Sequence, residues 1–121
     1  DYIYDRLEEE NTDILVAEMD GVICGFASIA YVNRPETPFS RPRKFCDVGE
    51  FCVDSAYCRK GVGTALITHI KERARSRQIN RIELNVWEFN EGAQRFYENV
   101  GFRVFRRDME IDCSTEGSVI Q

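Results

Sequence analysis

The chain has 121 residues, 43% of them hydrophobic, and a formal net charge of −5; this supports one core and is too short for two domains. No stretch is long and apolar enough to span a bilayer, and residues 1–11 are acidic where a secretory signal would be basic and then apolar, so a cytoplasmic protein with no membrane partner is expected. Five cysteines with no Cys-x-x-Cys pair, and His69 as the single histidine, argue against a disulfide framework, a bound metal or a Ser-His-Asp machine.

In chain order, Ile14-Leu15-Val16-Ala17-Glu18 reads as a strand, and Asp20-Gly21 is a hairpin signal leading into a second strand from Val22 to Ala30. Residues 33–44 hold all three prolines and four basic side chains, which makes them a loop. A strand over residues 45–53 follows. Val62, Leu66, Ile70 and Ala74 then recur every fourth residue, predicting a helix to about Arg77. Residues 81–87 alternate, with Ile82, Leu84 and Val86 on one face, and predict a further strand. Asn90 is a good N-cap for a helix striped by Ala93, Phe96, Tyr97 and Val100, and Gly101 ends it. Residues 102–111 are expected to return as a strand, with a loose tail over residues 112–121. A strand-helix-strand unit over residues 45–88 implies a right-handed crossover between parallel strands, and the hairpin adds antiparallel neighbours. The expected fold is a mixed α/β or α+β sheet.

Charge is uneven along this order. Residues 1–20 carry eight acids against Arg6 alone, whereas residues 54–81 carry seven bases against Asp54 and Glu72. The overall sign disfavours nucleic acid, and the local basic excess suits a small anion.

The run Cys58-Arg59-Lys60-Gly61-Val62-Gly63-Thr64 sits where the anion would bind. It joins the apolar Phe51-Cys52-Val53 to a helix through two glycines, so unpaired N–H groups and the positive end of the helix dipole meet at one turn. Arg59 and Lys60 would add full charges. The bland alternative is an ordinary glycine connection with solvated basic side chains. Two familiar phosphate loops fail: Lys60 precedes Gly61 where a Walker loop needs lysine after its second glycine, and Leu66 stands where a dinucleotide fingerprint needs a third small residue, although Glu83 lies about twenty residues on.

Three elements in register resemble the GNAT superfamily of N-acetyltransferases. They are the turn Cys58 to Gly63, the strand Ile82 to Trp87, and Asn90-x-x-Ala93-x-x-Phe96-Tyr97-x-x-x-Gly101-Phe102. The resemblance spans residues 14–111. It implies a mostly antiparallel sheet with helices on both faces, splayed between its central parallel strands (residues 45–53 and 81–87), with acetyl-coenzyme A in the opening and no metal. Its pyrophosphate would lie on residues 58–64: Cys58, Arg59, Lys60, Gly61, Val62, Gly63 and Thr64. Backbone groups of Phe51, Cys52 and Val53 would pair with the pantetheine arm and polarise the thioester, and Asn85 and Asn90 would also touch the cofactor. Tyr97 would protonate the departing thiolate, its bland alternative being a core aromatic beside Phe96. Glu50 is the first candidate for general base and Asp47 the second, with strand alternation placing them on opposite faces. Either could instead be a solvated edge charge.

The chain departs from the family pattern twice. Cys58 stands where glutamine or arginine is usual, moving the side-chain charge onto Arg59 and Lys60. The strand and helix that normally precede the hairpin are expected to be missing, with a helical remnant over residues 2–10; either the chain is a fragment or a partner subunit, such as a second copy in a homodimer, supplies them. The expected function is direct acetyl transfer from acetyl-coenzyme A to a primary amine, small molecule or peptide, in a ternary complex. The alternatives are a relay through Cys52 or Cys58 and a non-catalytic coenzyme A-binding regulatory domain. The acidic residues 1–20 tilt the acceptor toward a cation such as a polyamine, a lysine side chain or an aminoglycoside.

Overall fold

Pairing begins at the amino-terminal edge. The computed structural model describes residues 2–9, 11–58 and 61–114; Arg59, Lys60 and all of the expected tail beyond Ser114 lie outside the described residues. Strands β1 (Tyr2–Glu9), β2 (Thr12–Met19), β3 (Val22–Arg34) and β4 (Arg43–Val53) form an antiparallel meander. A 3-10 turn (Ser55–Tyr57) and helix α1 (Val62–Ser76) lead to strand β5 (Ile82–Leu84), which pairs parallel with β4, and helix α2 (Glu91–Asn99) follows. The result is a five-stranded mixed sheet in the order β1-β2-β3-β4-β5 with two helices.

Local chemistry accounts for most of these elements. Asp20 and Gly21 both have positive φ, 55° and 76°, as a two-residue hairpin turn matching the strand twist requires. The proline loop spans residues 35–42 and is narrowed by a bridge between Thr37 and Ser40. Val62, Leu66, Ile67, Ile70 and Ala74 of α1 are buried against Leu15, Ala17, Ala27, Ile29, Cys46 and Val48 of the sheet. Phe96 and Val100 of α2 border the same core. At the end of this layer farthest from the glycine turn, buried Asp13 accepts a hydrogen bond from the Tyr31 hydroxyl, and the Arg77 guanidinium lies 3.8 Å over the Tyr31 ring.

Three expectations need correction. Residues 2–9 are a strand and not a helical remnant. Tyr2-Ile3-Tyr4 are β-formers, and β1 pairs with β2 from Tyr2↔Glu18 to Glu9↔Thr12, so an amino-terminal strand is present, joined to β2 with no intervening helix. The strand expected over residues 81–87 is confined to Ile82–Leu84, because β4 offers a partner only as far as Val48. Ile82 and Leu84 do pack against the core, but Val86 is exposed. Residues 102–111 form no strand: they have no ladder partner among the described residues, and Val104, Met109 and Ile111 are exposed. Alternation supplies strand propensity, but a ladder also needs a second backbone.

Both helices end in the same way. At α2, Gly101 (φ 112°) directs its N–H to Glu98 O and the Phe102 N–H to Tyr97 O, 3.1 and 2.9 Å. At α1 the equivalent bonds run from Gln78 to Arg75 O and from Ile79 to Ala74 O, 2.9 and 2.8 Å, but the left-handed residue is Gln78, φ 61°. A glutamine Cβ is disfavoured there. Gln78→Gly is therefore expected to stabilise the fold by about 1 kcal/mol, read as a higher urea midpoint at unchanged slope; a lower midpoint would contradict this account of the α1 terminus.

Candidate functional site

A bulge in β4 organises the site. Ser28 pairs with Glu50 and Ile29 with Val48, so Gly49 is an extra residue on β4. It is held in place where the Glu50 N–H donates to Ser28 Oγ, 2.9 Å. The bulge overturns the expectation that Asp47 and Glu50 face opposite ways: their partners, Ala30 and Ser28, are two apart on β3, so both carboxylates lie on the sheet face away from α1. Asp47 is partly buried and Glu50 exposed. Parity from spacing assumed an unbroken pleat, and no residue before or after Gly49 signals the break except the glycine itself.

Beyond the bulge β4 has no partner among the described residues on its β5 side, because the parallel ladder ends at Val48↔Leu84. Asp54 N–H donates to Cys24 O, 2.7 Å, toward β3. By alternation the backbone of Cys52 also faces β3, leaving the N–H and C=O of Phe51 and Val53 directed into the opening. These are strand-edge groups ready for an extended, amide-bearing ligand.

The glycine turn closes one end of that opening. Gly61 is the N-cap of α1 in the left-handed conformation, φ 81°, and a Cβ added there would meet nothing within 4 Å. The first intrahelical bond is Ala65 N–H to Gly61 O, 2.9 Å, so the N–H groups of Val62, Gly63 and Thr64 lie in the unpaired first turn. The side chain of Val62 is buried in the core, and Thr64 and Cys58 are exposed. Gly63 has a different reason to be glycine: a Cβ would come within 2.8 Å of the Phe96 ring. Its bare face is filled by protein.

That ring links the turn to Tyr97. Phe51 lies 5.9 Å from both Phe96 and Tyr97, and Tyr97 also packs edge-on against Phe96 at 5.5 Å and Phe102 at 5.6 Å. Phe102 reaches Tyr97 because the helix terminus at Gly101 folds it back, which is the physical content of the Gly101-Phe102 pair. Burial raises the Tyr97 phenol above its ordinary value, and the nearby Cys52 thiol adds to the rise. Tyr97 therefore remains a proton donor at neutral pH. Asn90 is committed to capping α2, its Oδ1 accepting from Ala93 N–H at 3.1 Å. Gln94, which the sequence did not single out, donates to Trp87 O and Glu88 O and steadies the loop before α2.

Asp47 and Asn85 line a cavity of about 150 Å³ on the other face, with Arg34, Arg43, Phe45, Glu83 and Arg106 among its walls. Glu83 is buried and paired with Arg43, and accepts from Arg81 Nε at 2.6 Å. Burial alone would raise its carboxyl, but the hydrogen bonds from Arg81 and Arg43 outweigh that and hold it below the usual glutamate range. Spacing cannot reveal this cluster, because its arginines come from the proline loop's two margins and from the segment after α2. No group of metal-ligating side chains occurs among the described residues, and no described helix is long and apolar enough to cross a membrane.

Comparison with known proteins agrees with this arrangement. The Acetyltransferase (GNAT) family matches residues 1–102. An L-amino acid N-acetyltransferase, AaaT, of Escherichia coli is 34% identical over 91 residues, covering 74% of this chain and 52% of that protein. An uncharacterized N-acetyltransferase of Methanocaldococcus jannaschii is 30% identical over 98 residues, covering 79% and 41%. The chain thus spans about half the length of the curated relatives it matches. Among solved structures, a tetramutant of the BH1408 protein of Bacillus halodurans superposes with a TM-score of 0.82 at 31% identity, covering 85% of this chain and 67% of that one. The aminoglycoside N-acetyltransferase AAC(6')-Iy in complex with CoA shares the fold, TM-score 0.74 at 16% identity, covering 88% and 79%.

The Glu83 pairing has a pH signature. A carboxyl held below its unfolded value stabilises the fold above the ordinary glutamate pKa of about 4.3 and loses that contribution as pH falls through its lower folded value. Glu83→Gln is expected to cost about 1–2 kcal/mol at pH 7, discounted because both arginines are partly exposed, with the gap to wild type closing in urea titrations as pH is lowered below that range. A gap that stays constant with pH would show that the charge is not what matters.

Proposed function

Because the chain belongs to the Acetyltransferase (GNAT) family, we propose that it transfers an acetyl group from acetyl-coenzyme A to a primary amine by direct attack within a ternary complex. The observation that carries this reading is the opening where β4 parts from β5, with the outward backbone of Phe51 and Val53 on one side, the unpaired first turn of α1 at one end and Tyr97 beside it. Acetyl-coenzyme A fits these features as substrate. Its pyrophosphate suits the N–H groups of Val62, Gly63 and Thr64 at the helix terminus, the sequence Cys58-Arg59-Lys60 just before the turn would add positive charge, and its amide-rich arm suits the open edge at Phe51 and Val53. Asn85 and Asn90, which follow β5 in sequence, would meet the cofactor from that strand's side.

The chain's own groups then perform three tasks. An amine with a lysine-like pKa of about 10.4 arrives as ammonium, so Glu50 or Asp47, now known to share a face, takes a proton before attack. Fixed backbone donors of β4 stabilise the oxygen that becomes negative as nitrogen bonds to the carbonyl carbon. As the carbon–sulfur bond breaks, Tyr97 gives its proton to the leaving thiolate. A phenol above its ordinary value is a weak acid for a thiol of about 8.5, so this transfer accompanies bond breaking instead of preceding it. The attacking nitrogen sheds its second proton as the acetamide forms, which restores the Tyr97 phenol through solvent. The carboxylate releases the proton it took, so the products are the acetamide, coenzyme A and one proton.

The test is release of coenzyme A thiol with acetyl-coenzyme A and a panel of amines. Tyr97→Phe is expected to lower kcat about 10²-fold or more and to remove an alkaline limb lying above the ordinary tyrosine range. Gly61→Ala, which introduces no clash but strains the turn, is expected to weaken coenzyme A binding in calorimetry. Coenzyme A binding without transfer to any amine would favour the non-catalytic domain, and transfer abolished by Cys52→Ser with acetylated Cys52 trapped in the wild type would favour a thiol relay.

A further inference from the structure

The cavity around Asp47 has a charge that the acetyl transfer itself does not need. Its walls bring three guanidiniums, Arg34, Arg43 and Arg106, together with two carboxylates, Asp47 and Glu83. Glu83 already has both Arg43 and Arg81, so it is more than neutralised. Arg34 and Arg106 have no carboxylate partner among the described residues. Both are seated on aromatic rings: Arg34 lies 5.6 Å over Phe45, which is buried, and Arg106 lies 5.5 Å over Phe105. A guanidinium resting on a ring keeps its N–H edge for a planar anion, which it can hold through two parallel hydrogen bonds.

Resting on the acetyltransferase reading of the opening next to it, we propose that this cavity recognises the acceptor by a carboxylate, with Arg34 and Arg106 holding the acid group of a small amino acid whose amine meets Asp47. The sign of the walls supports a zwitterion. A polyamine or an aminoglycoside would bring several ammonium groups to walls where two guanidiniums without a carboxylate, Arg34 and Arg106, stand against Asp47, whereas an amino carboxylate matches Asp47 with its ammonium and the arginines with its acid. The acidic residues 1–20 pull the other way in sequence, but of those whose side chains are described, Asp13, Glu18 and Asp20, none lines this cavity.

Matched pairs of α-amino acids and their amides test this, because each pair shares an amine and differs in the carboxylate. With acetyl-coenzyme A and wild-type protein, kcat/KM for the acid is expected to exceed that for its amide by about tenfold or more. In the Arg34→Gln/Arg106→Gln double variant the ratio is expected to fall toward one, and Arg34→Lys, which keeps charge but loses the planar fork, gives an intermediate ratio should the double variant fail to fold. Ligand-observed NMR with the protein alone reads binding of the same pairs. Amide or spermidine used as well as the acid overturns the carboxylate subsite and leaves the transfer reading standing. Acid bound in preference to amide, with the preference lost in the variants and no coenzyme A released, upholds the subsite and overturns the transfer reading. Neither binding nor turnover of any acid overturns the subsite.

Discussion

The parting of β4 from β5 is the constraint on which the rest depends. Three parallel pairs join the strands, ending at Val48↔Leu84, and β4 then continues for five residues with a neighbour among the described residues on one side only. The extra residue Gly49 bends β4 at that point, and the Ser28 hydroxyl takes up the Glu50 N–H that the bulge would otherwise leave without a partner. An open strand edge leaves strong donors and acceptors uncovered, which costs free energy unless water or a ligand satisfies them. The same groups that weaken the sheet are therefore the ones available to a substrate.

Packing makes the opening a defined shape. Phe96 sits where a side chain on Gly63 would be, so α2 is locked to the first turn of α1. Phe51 contacts Phe96 and Tyr97 from β4, and Phe102 contacts Tyr97 from the far end of α2. Four rings thus tie together the turn, the strand edge and the tyrosine hydroxyl. Aromatic contacts of this kind contribute about 0.5–1.5 kcal/mol each beyond their buried area, and here they also set the position of a proton donor. A substitution at Gly63 would reach Tyr97 through this stack without touching any ligand.

The two faces of β4 divide the chemistry. On the α1 side lie the core, the helix terminus and Tyr97; on the other lie Asp47, Glu50 and the arginine-lined cavity. Buried Glu83 with Arg43 and Arg81 holds the second face in order, since a carboxylate at 7% exposure is tolerable only when paired.

The sequence by itself determined the elements whose signals are local. The Asp20-Gly21 hairpin, the four-residue period of α1, the Asn90 cap and the Gly101 terminus each rest on backbone angles or side-chain bonds within a few residues, and the structure contains them all. Family membership was legible for the same reason, because the turn and the Asn90 to Phe102 run are contiguous. Only the tertiary structure decided what depends on a second strand: that residues 2–9 pair as a strand, that β5 stops at Leu84, that residues 102–111 have no ladder among the described residues, and that Asp47 and Glu50 share a face. It also revealed that Gly63 is bare to admit Phe96, and that arginines from distant segments meet around Asp47. Period and capping are properties of one stretch of chain, whereas register, bulges and cavities exist only between stretches, where no spacing along the sequence records them.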